Sequence, residues 1–255
     1  MDLKKKLTQI ANEYPEGMIN DQLLDIDRTN YHINLAINSC KDKFPSELEI
    51  CDLGGGLSPF SIGCVASNFK RTVLVDDFDD PNNQKVGDEP IKLHKKYGIE
   101  IFTRDFVEKG IEDIEGSFDI ITSFDSMEHW HNSPKKLFHQ VLSKLKKGGT
   151  FILGVPNCAN LRKRITLPMG FGKWSSMDSW YEEDKFRGHV REPDVSDLLY
   201  IAKDIDLKNV KIYGRNWLGL NNSNKLIEKL TKIVDPLISK FPSLCSDLYL
   251  VGKKK

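Results

Sequence analysis

The chain has 255 residues, enough for one large domain with a full hydrophobic core, and its 37 basic residues balance its 37 acidic ones. That balance argues against a general binder of polyanions, which needs net or concentrated positive charge, so no nucleic-acid partner is expected. No apolar run approaches the roughly 20 residues of a membrane span, and five scattered cysteines without a C-x-x-C pair read as the reduced thiols of a cytoplasmic protein.

The N-terminus, MDLKKKLTQIANEYPEG, is charged at its start and lacks the apolar core of a leader peptide. Residues 1–45 read as a helical prelude that packs on the domain or covers its site, and residues 46–255 as the domain itself. Residues 48–53 form a buried strand, and 59–68 the helix after it. A second strand spans 72–76, a helix 85–97 with a stop at Gly98, and a third strand 99–103. Residues 118–124 (FDIITSF) are a fourth strand. Residues 133–146 follow as a helix with Pro134 in its first turn, where proline is favoured, and 150–155 is a fifth strand. Repeated β–α units of this length predict an α/β fold: a doubly wound, mostly parallel sheet with helices on both faces.

The remainder changes character. Residues 156–192 lack clear periodicity, and a long irregular loop inside a compact domain is usually a lid or a binding loop. A helix over 195–205 then leads to a sixth strand at 210–214. An amphipathic segment at 224–240 precedes a last strand at 247–252.

The chemistry is concentrated where strands end. Asp52-Leu-Gly54-Gly55-Gly56-Leu-Ser58-Pro59 joins the first strand to its helix. Glycines there let the backbone approach a ligand, and the helix N-terminus offers unpaired N–H groups. A dinucleotide fingerprint places a third glycine where this chain has Pro59, so the pattern fits better as acidic-x-Gly-x-Gly-x-small. The acid closing the second strand, Asp76 with Asp77 beside it, stands about 20 residues beyond the glycines, the place of a ribose-binding carboxylate.

This set resembles the class I S-adenosylmethionine-dependent methyltransferases, in their small-molecule branch. The resemblance rests on the glycine loop, on Thr103-Arg-Asp105-Phe106, on Phe118-Asp119 with Asp125-Ser-Met-Glu128-His129, and on the Lys146-Lys147-Gly148-Gly149 turn. It continues through Gly188-His189-Val-Arg191 to the last strand, covering residues 48–252. It implies a Rossmann-like, seven-stranded sheet whose last strand enters antiparallel between strands five and six. It also implies that S-adenosylmethionine is the cofactor, held by Asp52, Gly54, Gly55, Gly56, Ser58, Asp76, Asp77, Asp105, Phe106 and Asp125.

In such an enzyme the protein aligns acceptor and methyl group, and a general base helps when the acceptor is a hydroxyl. His129, His189 and Glu128 are the expected catalytic residues, because they lie at the sheet's carboxyl edge or in the later loop. Arg191, His131 and Trp174 are the expected acceptor contacts. No metal is expected from Glu128-x-x-His131 alone. By resemblance the acceptor is a small molecule, an oxygen of a sugar or glycan precursor, and the protein a monomer or homodimer. Two alternatives stay open: a silent cofactor-binding subunit and, less favoured because of Pro59, a nicotinamide dehydrogenase. Nucleic-acid methylation is disfavoured, since Asp125-Ser-Met-Glu128 stands where such enzymes carry an Asn/Asp-Pro-Pro-aromatic tetrad.

Overall fold

Apolar segments without helical period can bury both faces and still pair their backbone groups in one setting, the interior of a sheet. In the computed structural model, which describes residues 2–79, 86–172, 175–182, 184 and 186–255, seven strands do so. They are β1 (Glu49–Leu53), β2 (Arg71–Asp76), β3 (Glu100–Thr103), β4 (Phe118–Phe124), β5 (Leu145–Pro156), β6 (Lys208–Arg215) and β7 (Asp247–Lys253). Their order is β3-β2-β1-β4-β5-β7-β6. The pairs from β3 to β5 are parallel, and β7 runs antiparallel to both β5 and β6. The doubly wound sheet and its antiparallel insertion are therefore as the sequence implied.

Alternation along the strands splits the core in two. Ile50, Leu74, Ile120 and Ile152 face one side, and Cys51, Val73, Val75, Ile121, Phe151 and Leu153 the other. Helices α1 (Leu3–Ala11), α2 (Glu16–Leu24) and α3 (Ile26–Ser39) lie on the first side with α4 (Phe60–Ala66). Leu7, Ile10, Ile33 and Ala36 share one buried cluster with Ile50 and Ile62, so the prelude completes the core. Helix α5 (Glu89–Lys96) follows β2, and the short α6 (Phe106–Lys109) follows β3. Helix α7 (Lys135–Lys144) and, after the insert, α10 (Val195–Asp204) cover the second side.

Several boundaries differ from expectation. The helix expected through residue 146 ends at Lys144, because Leu145 turns extended (ψ 139°) to pair with Phe118. The Lys-Lys-Gly-Gly turn is thus a kink within β5. Helix 85–97 is seen as Glu89–Lys96, with Lys85 outside the described residues. The insert is less irregular than its sequence suggests. It holds α8 (Leu161–Thr166), capped by the Asn160 side chain, and α9 (Met177–Tyr181), both too short to show a period. The short α11 (Trp217–Leu220) precedes α12 (Lys225–Ile238), which leaves Leu226, Leu230, Ile233 and Leu237 exposed. Among the described residues no helix is long and apolar enough to cross a membrane.

The prelude meets the domain at Gly63 of α4, where a Cβ would lie 2.4 Å from Ile33 Cδ1 and 2.8 Å from Leu7 Cδ2. Gly63→Val should destabilise the fold by about 1–3 kcal/mol through overpacking. Urea denaturation checks this, and an unchanged midpoint would mean that the prelude yields to the added bulk.

Candidate active site

The strand order reverses between β1 and β4, and there the carboxyl ends of the parallel strands open onto two adjoining cavities. The first, about 480 Å³, lies over the glycine loop. Gly54 (φ +74°) and Gly56 (φ +53°) adopt left-handed backbone, and both line the cavity. A Cβ on Gly54 would fall 1.9 Å from Ser126 Oγ, so glycine is required sterically as well.

Asp76 holds this loop. Its Oδ2 accepts from the Gly56 N–H (2.9 Å) and its Oδ1 from the Phe78 N–H (2.7 Å), while the side chain still faces the cavity. Asp77 and Asp79 line the same wall. Beyond β3, Asp105 caps α6 by accepting from Val107 and Glu108 N–H (2.9 and 3.1 Å), and buried Phe106 lies beside it. Trp130 meets Phe106 edge-on at 5.5 Å and donates its Nε1–H to Ser126 Oγ (3.0 Å). From the insert, Arg187 pairs with Asp79, bridging to the loop after β2.

The second cavity, about 530 Å³, shares Asp125 and His129 with the first. Asp125 sits in left-handed backbone (φ +50°) and pairs with Arg28 from α3. Glu128, only 1% exposed, has its carboxyl pushed up to about 7 by burial. His189 donates Nδ1–H to Glu192 (2.8 Å), a bond that raises its pKa. Glu192 is held below the usual carboxyl range, the His189 and Lys163 bonds outweighing burial. Burial raises Asp247 on the same wall. His129 donates Nδ1–H to the Arg187 carbonyl (2.6 Å), and the His129 and His189 rings stand 4.9 Å apart.

A family model described as a methyltransferase domain matches residues 27–212, from α3 into β6. The chain belongs to that family. With that membership comes the cofactor to which the glycine loop points, S-adenosylmethionine. No curated protein matches the sequence significantly. Several solved structures share the methyltransferase fold at low identity. A S-adenosylmethionine-dependent methyltransferase from Archaeoglobus fulgidus is 18% identical with a TM-score of 0.51, covering 89% of this chain and 94% of its own. A magnesium protoporphyrin IX methyltransferase from Synechocystis with bound S-adenosylhomocysteine is 11% identical (TM-score 0.56, coverage 94% and 88%). A cyclopropane-fatty-acyl-phospholipid synthase-like protein from Lactobacillus casei is also 11% identical (TM-score 0.59, coverage 99% and 100%).

Not every expected site residue of this methyltransferase reaches a cavity. Gly54, Gly56, Asp76, Asp77, Asp105, Phe106 and Asp125 line the first, as does His131. Glu128, His129 and His189 converge on the second. Asp52, Gly55 and Ser58 line neither cavity and brace the loop from behind. Asp52 is 2% exposed and accepts from Thr122 (2.8 Å) and Ser61 (3.4 Å), and a Cβ on Gly55 would strike its Oδ2. The Ser58 hydroxyl accepts from the Phe60 N–H, and its carbonyl meets His94 Nε2. Arg191 also lies outside both walls: its side chain is 75% exposed and pairs with Asp197. The backbone of Val190 and Arg191 donates to the Glu128 carbonyl, which fixes this segment with Arg191 outside the cavity walls. Trp174 lies outside the described residues.

Arg28, Ser126, Trp130, Lys163, Arg187 and Glu192 were not expected. Glu192 stands three residues after His189, a spacing that could have revealed it, whereas nothing local to Arg28 marks it.

Burial raises the Asp52 carboxyl from 3.8 to about 7. Between those values the folded chain holds a proton that the unfolded chain has released. The group's contribution to stability therefore falls as pH rises from about 4 to about 7 and is level above. Asp52→Asn stays neutral throughout, so its melting temperature relative to wild type should climb between pH 5 and 7 and then plateau. A pH-independent difference would show that Asp52 is ionised in the fold.

Proposed function

We propose that this methyltransferase moves a methyl group from S-adenosylmethionine to an oxygen of a small polar acceptor, a sugar or glycan precursor. The observation that carries this reading is the pairing of two cavities of different character at Asp125 and His129.

The first cavity suits the cofactor. Among the described residues its wall holds six carboxylates, those of Asp76, Asp77, Asp79, Asp105, Glu108 and Asp125, against the single guanidinium of Arg187. Such a wall attracts a sulfonium and an ammonium and repels a dinucleotide's diphosphate. The cradle at Gly54 and Gly56, which side chains would fill, admits the amino-acid portion close to the backbone. Asp76 would hold the ribose hydroxyls, and Asp105 with Phe106 and Trp130 the adenine. When bound, the cofactor supplies a methyl group activated on positive sulfur.

The second cavity suits the acceptor. Arg28, Glu128, Asn160, Lys163, Glu192, Asn221 and Asp247 line it, a wall of donors and acceptors fit for a polyhydroxylated molecule. Methylation of a hydroxyl would require its proton to be taken up nearby. The cluster of Glu128, His129 and His189 stands where the cavities meet and is placed to deal with that proton.

Calorimetry with S-adenosylhomocysteine tests the cofactor half. Asp76→Ala should weaken binding by about 10- to 100-fold, the worth of hydrogen bonds to a charged group. Wild type should show no heat with NADH. Radiolabelled S-adenosylmethionine with a panel of nucleotide sugars, amines and fatty acids tests the other half. Label appearing only in amines or lipids would sink the oxygen and sugar reading.

A further inference from the structure

One oxygen of the buried Glu128 carboxylate lacks a partner. Its Oε2 is shielded from solvent with no hydrogen-bond partner, and among the described residues it forms no ion pair. Other carboxylates around the cavity are answered. Glu192 pairs with Lys163 and His189, Asp125 with Arg28, and Asp247 accepts from the Trp217 N–H (3.0 Å) and the Ser246 hydroxyl. Arg28 is engaged by Asp125 and, at 3.9 Å, by Asp25, so it acts on Glu128 only through space. An orphaned buried carboxylate oxygen is costly, and here it points to a cation.

Two imidazoles converge on it. One ring nitrogen each from His129 and His189 and a carboxylate oxygen of Glu128 lie within 4.8 Å of one another. The Arg187 carbonyl can only accept, so His129 carries its hydrogen on Nδ1, and Glu192 sets the same tautomer in His189. In the neutral rings both lone pairs then reside on Nε2. A histidine oriented through Nδ1–H by a carbonyl or carboxylate is the usual outer support of a metal ligand.

We propose that Glu128, His129 and His189 form a binding site for a divalent transition-metal ion where the two cavities meet. Two imidazoles and one carboxylate suit zinc, cobalt, manganese or iron, whereas magnesium and calcium favour an all-oxygen set. Three such ligands leave open positions. An ion here would take the acceptor's hydroxyl as a further ligand and ease loss of its proton. What the ion does rests on the acceptor reading above, whereas its binding does not. The proposed ligands do not follow the Glu128-x-x-His131 spacing. His189, 60 residues after His129, supplies the third ligand, and His131 lies outside the cluster.

The test titrates chelator-treated wild type, Glu128→Gln and His189→Ala with cobalt(II) chloride, following visible absorbance, with S-adenosylhomocysteine calorimetry in parallel. Wild type should bind one ion per chain with the spectrum of a nitrogen- and oxygen-ligated cobalt. Each variant should bind at least about 10-fold more weakly while keeping its circular dichroism and its affinity for the thioether. Glu128→Gln preserves side-chain shape, so it decides the matter if His189→Ala fails to fold. Wild type that takes up no cobalt, or folded variants that bind it equally well, would overturn the site. Cobalt binding that depends on both residues supports the site even if the thioether does not bind, an outcome that would count against the cofactor assignment alone.

Discussion

A parallel sheet whose strand order reverses leaves a gap at its carboxyl edge, because the connections on either side of the reversal run to opposite faces. In this chain the gap lies between β1 and β4, and both cavities open over it. The backbone must nevertheless be held rigid at that edge. Asp76 fastens the glycine loop through the Gly56 N–H, Asp52 ties β1 to β4 through Thr122, and Asp125 takes a left-handed turn directly after β4. Three acids at three strand ends thus serve the geometry in different ways. Asp76 and Asp125 also face the cavities, while Asp52 lies wholly beneath.

The prelude belongs to this arrangement. Arg28 reaches Asp125 at the junction, and one turn later His32 stacks on Phe124 at 4.0 Å. The indole of Trp217 can only donate, so the Tyr249 hydroxyl accepts its hydrogen (2.7 Å), and the same hydroxyl shares a hydrogen bond with His32 Nε2 (2.9 Å). Burial keeps the pKa of His32 well below the ordinary value. The prelude, β4, β7 and α11 are thus joined through buried ring and hydrogen-bond contacts.

How far the sequence discloses this depends on how local each signal is. β4 was legible to the residue, because seven buried positions in a row leave no other reading. The glycine loop and Asp76 were legible for the same reason, since backbone demands are written in residue type. Arg191 meets the site through its backbone N–H on the Glu128 carbonyl while its side chain pairs with Asp197, a distinction that residue identity does not carry. Arg28 was out of reach because its partner lies 97 positions away, beyond any local periodicity. The convergence of His129 and His189 was hidden likewise, although each residue was recognised singly.

The antiparallel insertion of β7 has a consequence for the order in which the molecule can be built. The last strand of the chain occupies an interior position, between β5 and β6, and carries Tyr249, which lies 217 residues from its partner His32. A growing chain can form the early β–α units as they appear, but β6 stays separated from the parallel strands until β7 docks between it and β5. Contacts of such high sequence separation slow folding, since loop closure precedes the reward. The second cavity, whose wall includes Asp247 at the start of β7, is thus complete only once that strand has docked.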